Sequence, residues 1–236
     1  MSKESKIFFY ISPRTASTSL TCYMKNVFGS DRVYVKKVVE EIYDNKPISI
    51  SSKAPSLNIL KTDLENNQDF DVYIVMAPYG VHRYIDGSVR LYTILRDPVE
   101  RCISLLRFMH SNPDLNDVNK LVMTYNNNYK KLLESKKTLC FSNEQVRLIS
   151  GSSKWSIDEE DYQIALDRLK KYDGVFKFGE VDKIEKLCKE HVANSSYNFP
   201  KLNSFNIELE LNEYDKNLLT EYNLYDKKLW NHVAVS

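Results

Sequence analysis

No stretch of this chain is apolar for long enough to cross a bilayer, no two cysteines form a Cys-x-x-Cys pair, and acidic and basic residues nearly cancel. Each absence removes a class of function. Lys and Arg total 33 against 32 for Asp and Glu, so no overall field draws the chain onto nucleic acid or an anionic membrane, and neither is expected as a partner. Any anion must be held by local groups. Cys22, Cys102, Cys140 and Cys188 are scattered too widely for a zinc site or a disulfide framework and read as reduced, buried thiols. Met1 is followed by polar residues and then an apolar run only from Ile7 to Ile11, unlike a signal peptide, so a cytoplasmic protein is expected. With 236 residues, 42% apolar and 28% charged, the chain can bury one good core and is short for two, so a single domain over 1–236 is expected.

What is present is an alternation of strand-length apolar runs with segments of helical period, the pattern of an α/β protein with a central, mainly parallel sheet flanked by helices. Strands are predicted at Ile7–Ile11, Arg32–Val35, Val72–Met76, Leu91–Leu95 and Val175–Phe178. Leu20, Tyr23, Met24, Val27 and Phe28 share one helix face after the first strand, and Val99, Cys102, Ile103 and Leu106 do so after the fourth. Ser156 and Glu159 read as a capping box opening a helix through Ile164, Leu166 and Leu169. Leu218, Tyr222, Tyr225, Leu229 and Val233 form a closing amphipathic stripe. The polar segments Asp44–Asn67 and Ser111–Asn128 have weaker patterns and no repeats and read as excursions from the core.

Two segments carry chemistry. Ser12, Pro13, Arg14, Thr15, Ala16, Ser17, Thr18 and Ser19 lie between the first strand and its helix, where free backbone N–H groups and the positive helix end converge on one spot. The hydroxyls of Thr15, Ser17, Thr18 and Ser19 add donors and Arg14 adds a planar cation, a set suited to phosphate or sulfate. The same residues also suit a Ser/Thr-rich helix cap beside a solvated arginine. They are not a Walker A loop, because there is no Gly-x-x-x-x-Gly-Lys and no Lys-Ser/Thr pair for magnesium, which weighs against a magnesium-dependent kinase. In the second segment a strand ends at Arg96, Asp97 is placed to cap a helix, and Pro98 takes the first helical position. Positions 97, 101 and 104 share a face, so the Ser104 hydroxyl can approach an anion held by Arg96. An ordinary capped helix with surface arginines would read the same way.

Together the segments resemble the 5′-phosphosulfate loop and the 3′-phosphate motif of sulfotransferases that use 3′-phosphoadenosine-5′-phosphosulfate (PAPS). The branch is the one holding heparan sulfate 2-O-sulfotransferase and its bacterial carbohydrate-type relatives. Pro13 to Ser19 is similar to the family's Pro-Lys-Thr loop with Arg14 in place of lysine, and Leu95 to Ser104 matches its Leu-Arg-Asp-Pro-x-Glu-Arg-x-x-Ser throughout. Further likenesses lie at Pro78–Tyr84, Asn143–Gly151, Leu169–Glu180 and Asn223–Trp230.

The resemblance implies a P-loop-like three-layer sandwich and in-line transfer of a sulfuryl group to a hydroxyl acceptor, of carbohydrate class, releasing adenosine 3′,5′-bisphosphate (PAP) without a metal. Pro13 to Ser19 would hold the 5′ end, with Arg14 facing charge that develops on the leaving phosphate, while Arg96 and Ser104 would hold the 3′-phosphate. Relatives often carry Gly-His at the end of the third strand, where this chain has Val75-Met76, so His82, six residues on, is the expected base, with Glu180 or Asp86 next in line. Lys36, Lys37, Lys53 and Arg83 would supply a local basic groove for the acceptor. A degenerate module that binds PAPS or PAP without turnover is the second reading, suggested by Arg14 and Met76.

Overall fold

The structure, a computed structural model, describes residues 5–37, 40–43, 46–49, 57–115, 117–125, 128–135, 139–154, 156–192, 197–200, 209 and 211–235. Strand β1 (Lys6–Ile11) leads through helix α1 (Ser17–Phe28) to β2 (Val33–Lys37). An antiparallel pair, β3 (Glu40–Tyr43) and β4 (Lys46–Ser49), precedes α2 (Leu57–Asn66), β5 (Val72–Met76) and β6 (Val89–Leu95). Helices α3 (Pro98–Ser111), α4 (Asp117–Thr124), α5 (Tyr129–Glu134), α6 (Glu144–Ser150) and α7 (Glu159–Leu169) come before β7 (Gly174–Lys177). The chain then forms α8 (Val181–His191), α9 (Glu213–Tyr222) and α10 (Leu224–Val235).

The main sheet has five strands in the order β2-β5-β1-β6-β7, and every pairing is parallel. All five strands were expected, each within two residues of its observed ends. A parallel sheet is covered on both faces, which is why β1 reads as a continuous apolar run. Alternation along it sends Ile7, Phe9 and Ile11 to the side of α1 and α8, and Phe8 and Tyr10 to the side of α2. Leu20, Tyr23 and Met24 are fully buried against the first face, each removing apolar surface worth about 1.5–3 kcal/mol. On the opposite face α6, α7 and α10 pack over Leu95, and a separate cluster joins α3 to α4, α5 and α9.

Several expectations change. Helix α7 is capped by a reciprocal box between Asp158 and Asp161, not Ser156 and Glu159, because buried Ile157 and Tyr162 staple the chain two residues further along. The closing stripe is two helices, broken at Asn223, whose amide is buried and bonds the carbonyls of Phe141 and Leu219. Of the polar excursions, Leu60, Leu64 and Val122 are core residues, and 44–45, 50–56, 116 and 126–127 lie outside the described residues. Three cysteine thiols are buried as expected and Cys22 is only half-buried.

Candidate functional site

The site starts from a backbone peculiarity. Arg14 and Ala16 both hold positive φ, 70° and 66°, in a conformation costing an L-residue about 1–2 kcal/mol. Alternating hands along a short loop tip successive N–H groups to one side, the geometry of an anion-binding nest. Ala16 is the cap position of α1 and no side chain caps that end, so the alternative reading of the segment as a Ser/Thr helix cap is not what the loop uses. The Thr15 hydroxyl turns inward and donates to the Ser12 carbonyl at 2.7 Å, bracing the loop from beneath. Pro13 and Ser19 are buried with it, while Ser17 and Thr18 are half-buried on the first helical turn.

The second segment arrives alongside, because β1 and β6 are neighbours in register Ile11 to Ile94. Asp97 Oδ1 accepts from the N–H groups of Val99 (3.0 Å) and Glu100 (3.1 Å), and its other oxygen pairs with Lys227 at 2.6 Å. The capped helix presents Ser104, whose hydroxyl accepts from Arg14 Nε at 3.2 Å. Arg96 Nη1 donates to the Arg14 carbonyl at 3.1 Å. Arg101, expected on the face of Ser104, instead runs into the core and donates to the Cys140 carbonyl at 2.7 Å. Two residues that sequence reasoning missed flank the cations: the Phe108 ring lies 5.3 Å from the Arg14 guanidinium and the Phe178 ring lies 4.3 Å from that of Arg96. Phe108 follows Ser104 by one helical turn, which was a legible signal; Phe178 follows β7, the neighbour of β6 in the sheet but far along the chain.

Electrostatics follow from this crowding. Burial, and then the charge of Arg96, push the Arg14 guanidinium down to about 10. Burial also lowers Arg96, against an opposing pull from Glu100. Two half-buried cations brought together beside a nest favour an anion that answers both.

His82 follows β5, in a turn opened by Gly80, whose φ of 115° suits only glycine. Its ring packs among Phe8, Tyr10 and Tyr79. The Tyr10 hydroxyl oxygen accepts from the N–H groups of Gly80 (2.9 Å) and His82 (3.1 Å). With that oxygen engaged, the phenolic proton goes to His82 Nδ1 at 2.7 Å, and the ring carries its own proton on Nε2. Burial, with help from Arg83, pushes His82 down to about 4.

The expected basic groove is altered. Lys36 pairs with Asp63 at 2.6 Å, Arg83 is exposed in the turn, and Lys53 and the Lys37 side chain lie outside the described residues. Glu180 is occupied in a turn, accepting from Lys177 N–H at 2.8 Å and from Lys183 at 2.6 Å, while Asp86 donates its N–H to Gln68 on the surface. Among the described residues no three His, Cys, Asp or Glu side chains gather as metal ligands, and no helix is long and apolar enough to cross a membrane.

No protein-family model and no curated protein matches the chain. Among solved structures it is similar to a sulfotransferase from Alicyclobacillus acidocaldarius, with TM-score 0.49 and 12% identity, covering 98% of this chain and 96% of that one. It is also similar to mouse sulfotransferase SULT7A1 complexed with PAP, with TM-score 0.41 and 12% identity, covering 96% of this chain and 66% of that one.

Proposed function

We propose that the chain is a single-domain sulfotransferase that moves a sulfuryl group from PAPS to a hydroxyl-bearing acceptor and releases PAP. The observation that carries the reading is the meeting of the two segments at neighbouring strand ends, with Arg96 bonded to the Arg14 carbonyl and Arg14 bonded to Ser104. Ligands of open α/β sheets sit outside the carboxyl ends of strands, and these are the strand ends concerned.

In this reading the nest and the N-terminus of α1 hold the 5′-phosphosulfate, and Arg14 faces the charge that grows on the leaving phosphate. Arg96 and Ser104 take the 3′-phosphate. His82 enters with a changed role: neutral at ordinary pH and protonated on Nε2, it is a hydrogen-bond donor and a poor base. A loose transition state, as in phosphoryl transfer, draws most of its catalysis from positioning and charge stabilisation, so a strong base is not required. A carbohydrate acceptor follows from the motif likeness to the 2-O-sulfotransferase branch. Free thiols at Cys22, Cys102, Cys140 and Cys188 support a reducing, cytoplasmic setting.

A second reading, a module that binds PAPS or PAP without turnover, is favoured by Met76 at the end of β5 and by the hydrogen bond that the Tyr10 hydroxyl donates to His82 Nδ1. A single-turnover assay with labelled PAPS and a panel of saccharides separates the two. Label appearing on a saccharide supports the enzyme, and label that stays on bound nucleotide with every acceptor contradicts it.

A further inference from the structure

The nucleotide reading leaves one residue unexplained. Gln145, on the first turn of α6, is 2% exposed, yet its amide spends both ends on the backbone of Arg96. Oε1 accepts the Arg96 N–H at 2.8 Å, and Nε2 donates to the Arg96 carbonyl at 2.9 Å. Arg96 is the first residue beyond β6, where the sheet ladder ends and a backbone would otherwise need new partners. One side chain stands in for a strand.

Gln145 is itself held. Its N–H donates to Asp226 Oδ2 at 3.0 Å and that of Val146 donates to Oδ1 at 2.7 Å, so a carboxylate on α10 caps α6. Asn143 returns the arrangement, its Oδ1 accepting from the N–H groups of Tyr225 (2.9 Å) and Asp226 (3.0 Å). Asp226 is fully buried. The two helix starts therefore lock one another, and the lock ends on the Arg96 peptide. Beyond that peptide the guanidinium is fixed at two further points, the Phe178 ring and the Arg14 carbonyl.

We propose that Gln145 is a positioning residue that sets selectivity for the 3′-phosphate by fixing the backbone from which Arg96 reaches. The proposal rests on the nucleotide reading above. A long side chain amplifies a small tilt of its own peptide, and groups that orient a binding residue commonly matter tenfold or more. A purely structural Gln145 would change stability alone. A positioning Gln145 changes the ratio of affinities for PAP and 5′-AMP, because only PAP engages Arg96 through the 3′-phosphate.

The experiment is calorimetric titration of the wild type, Gln145→Met and Gln145→Glu with PAP and with 5′-AMP, alongside thermal denaturation of each. Gln145→Met keeps the shape and loses both hydrogen bonds. Its preference for PAP should fall by about tenfold, with 5′-AMP affinity within about twofold of wild type. Gln145→Glu retains an acceptor for the Arg96 N–H but turns an oxygen on the Arg96 carbonyl and on Asp226 Oδ2, which Nε2 meets at 3.5 Å in the wild type, and should lose at least as much preference. It also carries the test should Gln145→Met fail to fold. Full preference in a folded variant overturns the positioning role alone. A wild type with no preference for PAP overturns the nucleotide reading, and the positioning role with it.

Discussion

Arg14 and Ser104 stand 90 residues apart in the chain and 3.2 Å apart in space, Nε to hydroxyl oxygen. Their contact joins the loop after β1 to the helix after β6. Removing the hydroxyl should leave the fold intact and weaken PAP by about tenfold, the worth of a hydrogen bond involving a charged group. Titration of Ser104→Ala checks this, with unchanged PAP affinity as the contrary result.

The left-handed loop makes a prediction about stability. Ala16 sits at φ 66° without help from a side-chain cap. Glycine there would relieve about 1–2 kcal/mol of backbone strain against an entropic cost of about 0.5–1 kcal/mol. Ala16→Gly is therefore expected to leave stability unchanged or raise it slightly, and Ala16→Val, β-branched at positive φ, to lower it. Urea denaturation of the pair measures the difference.

His82 controls a pH dependence whose sign is fixed by its surroundings. Burial holds the folded pKa at about 4, below the ordinary 6.5 of a free histidine side chain. Between those values the unfolded chain binds more protons than the folded one, so stability falls as pH drops through that window. His82→Phe should flatten this part of the melting-temperature profile. Turnover should show no His82 limb near 6.5, and any limb it has belongs near 4. A rate that rises through pH 6.5 in the wild type and not in His82→Phe would restore the base role.

The capping lock is expected to be costly to open. Asp226→Ala leaves the buried N–H groups of Gln145 and Val146 without their acceptor, so a loss of about 2 kcal/mol or more is expected. Asp97→Ala, at a half-buried cap, should cost about 1 kcal/mol. Chemical denaturation of both gives the comparison.

The sheet was legible because parallel strands are apolar throughout, and the runs at Ile7–Ile11 and Val72–Met76 have no other use. Arg14, Arg96 and Ser104 could be picked out because strand-to-helix turns gather anion-binding groups. What escaped depended on contacts distant in sequence. The pattern Ser-x-x-Glu at 156–159 recurs as Asp-x-x-Asp at 158–161, and only the burial of Ile157 chooses between them. The break at Asn223 is invisible to an amphipathic stripe that continues across it. Tyr10 lies within the strand run Ile7–Ile11, and nothing local shows that its hydroxyl faces His82 Nδ1. Phe178 read as the end of a strand until β7 placed it beside Arg96.

The central claim is that one nucleotide spans the two segments, and its most direct measurement is calorimetric titration with PAP and with 5′-AMP in the presence of a chelator. PAP is expected to bind at least about tenfold more tightly, since each charge-assisted contact to the extra phosphate contributes about 1.5–3 kcal/mol, and the chelator should change nothing. Arg96→Ala should cut that preference by about tenfold or more and change 5′-AMP affinity far less, Ser104 remaining to hold the 3′-phosphate. Equal affinity for the two nucleotides in the wild type, or a preference left unchanged by the loss of Arg96, would contradict the account.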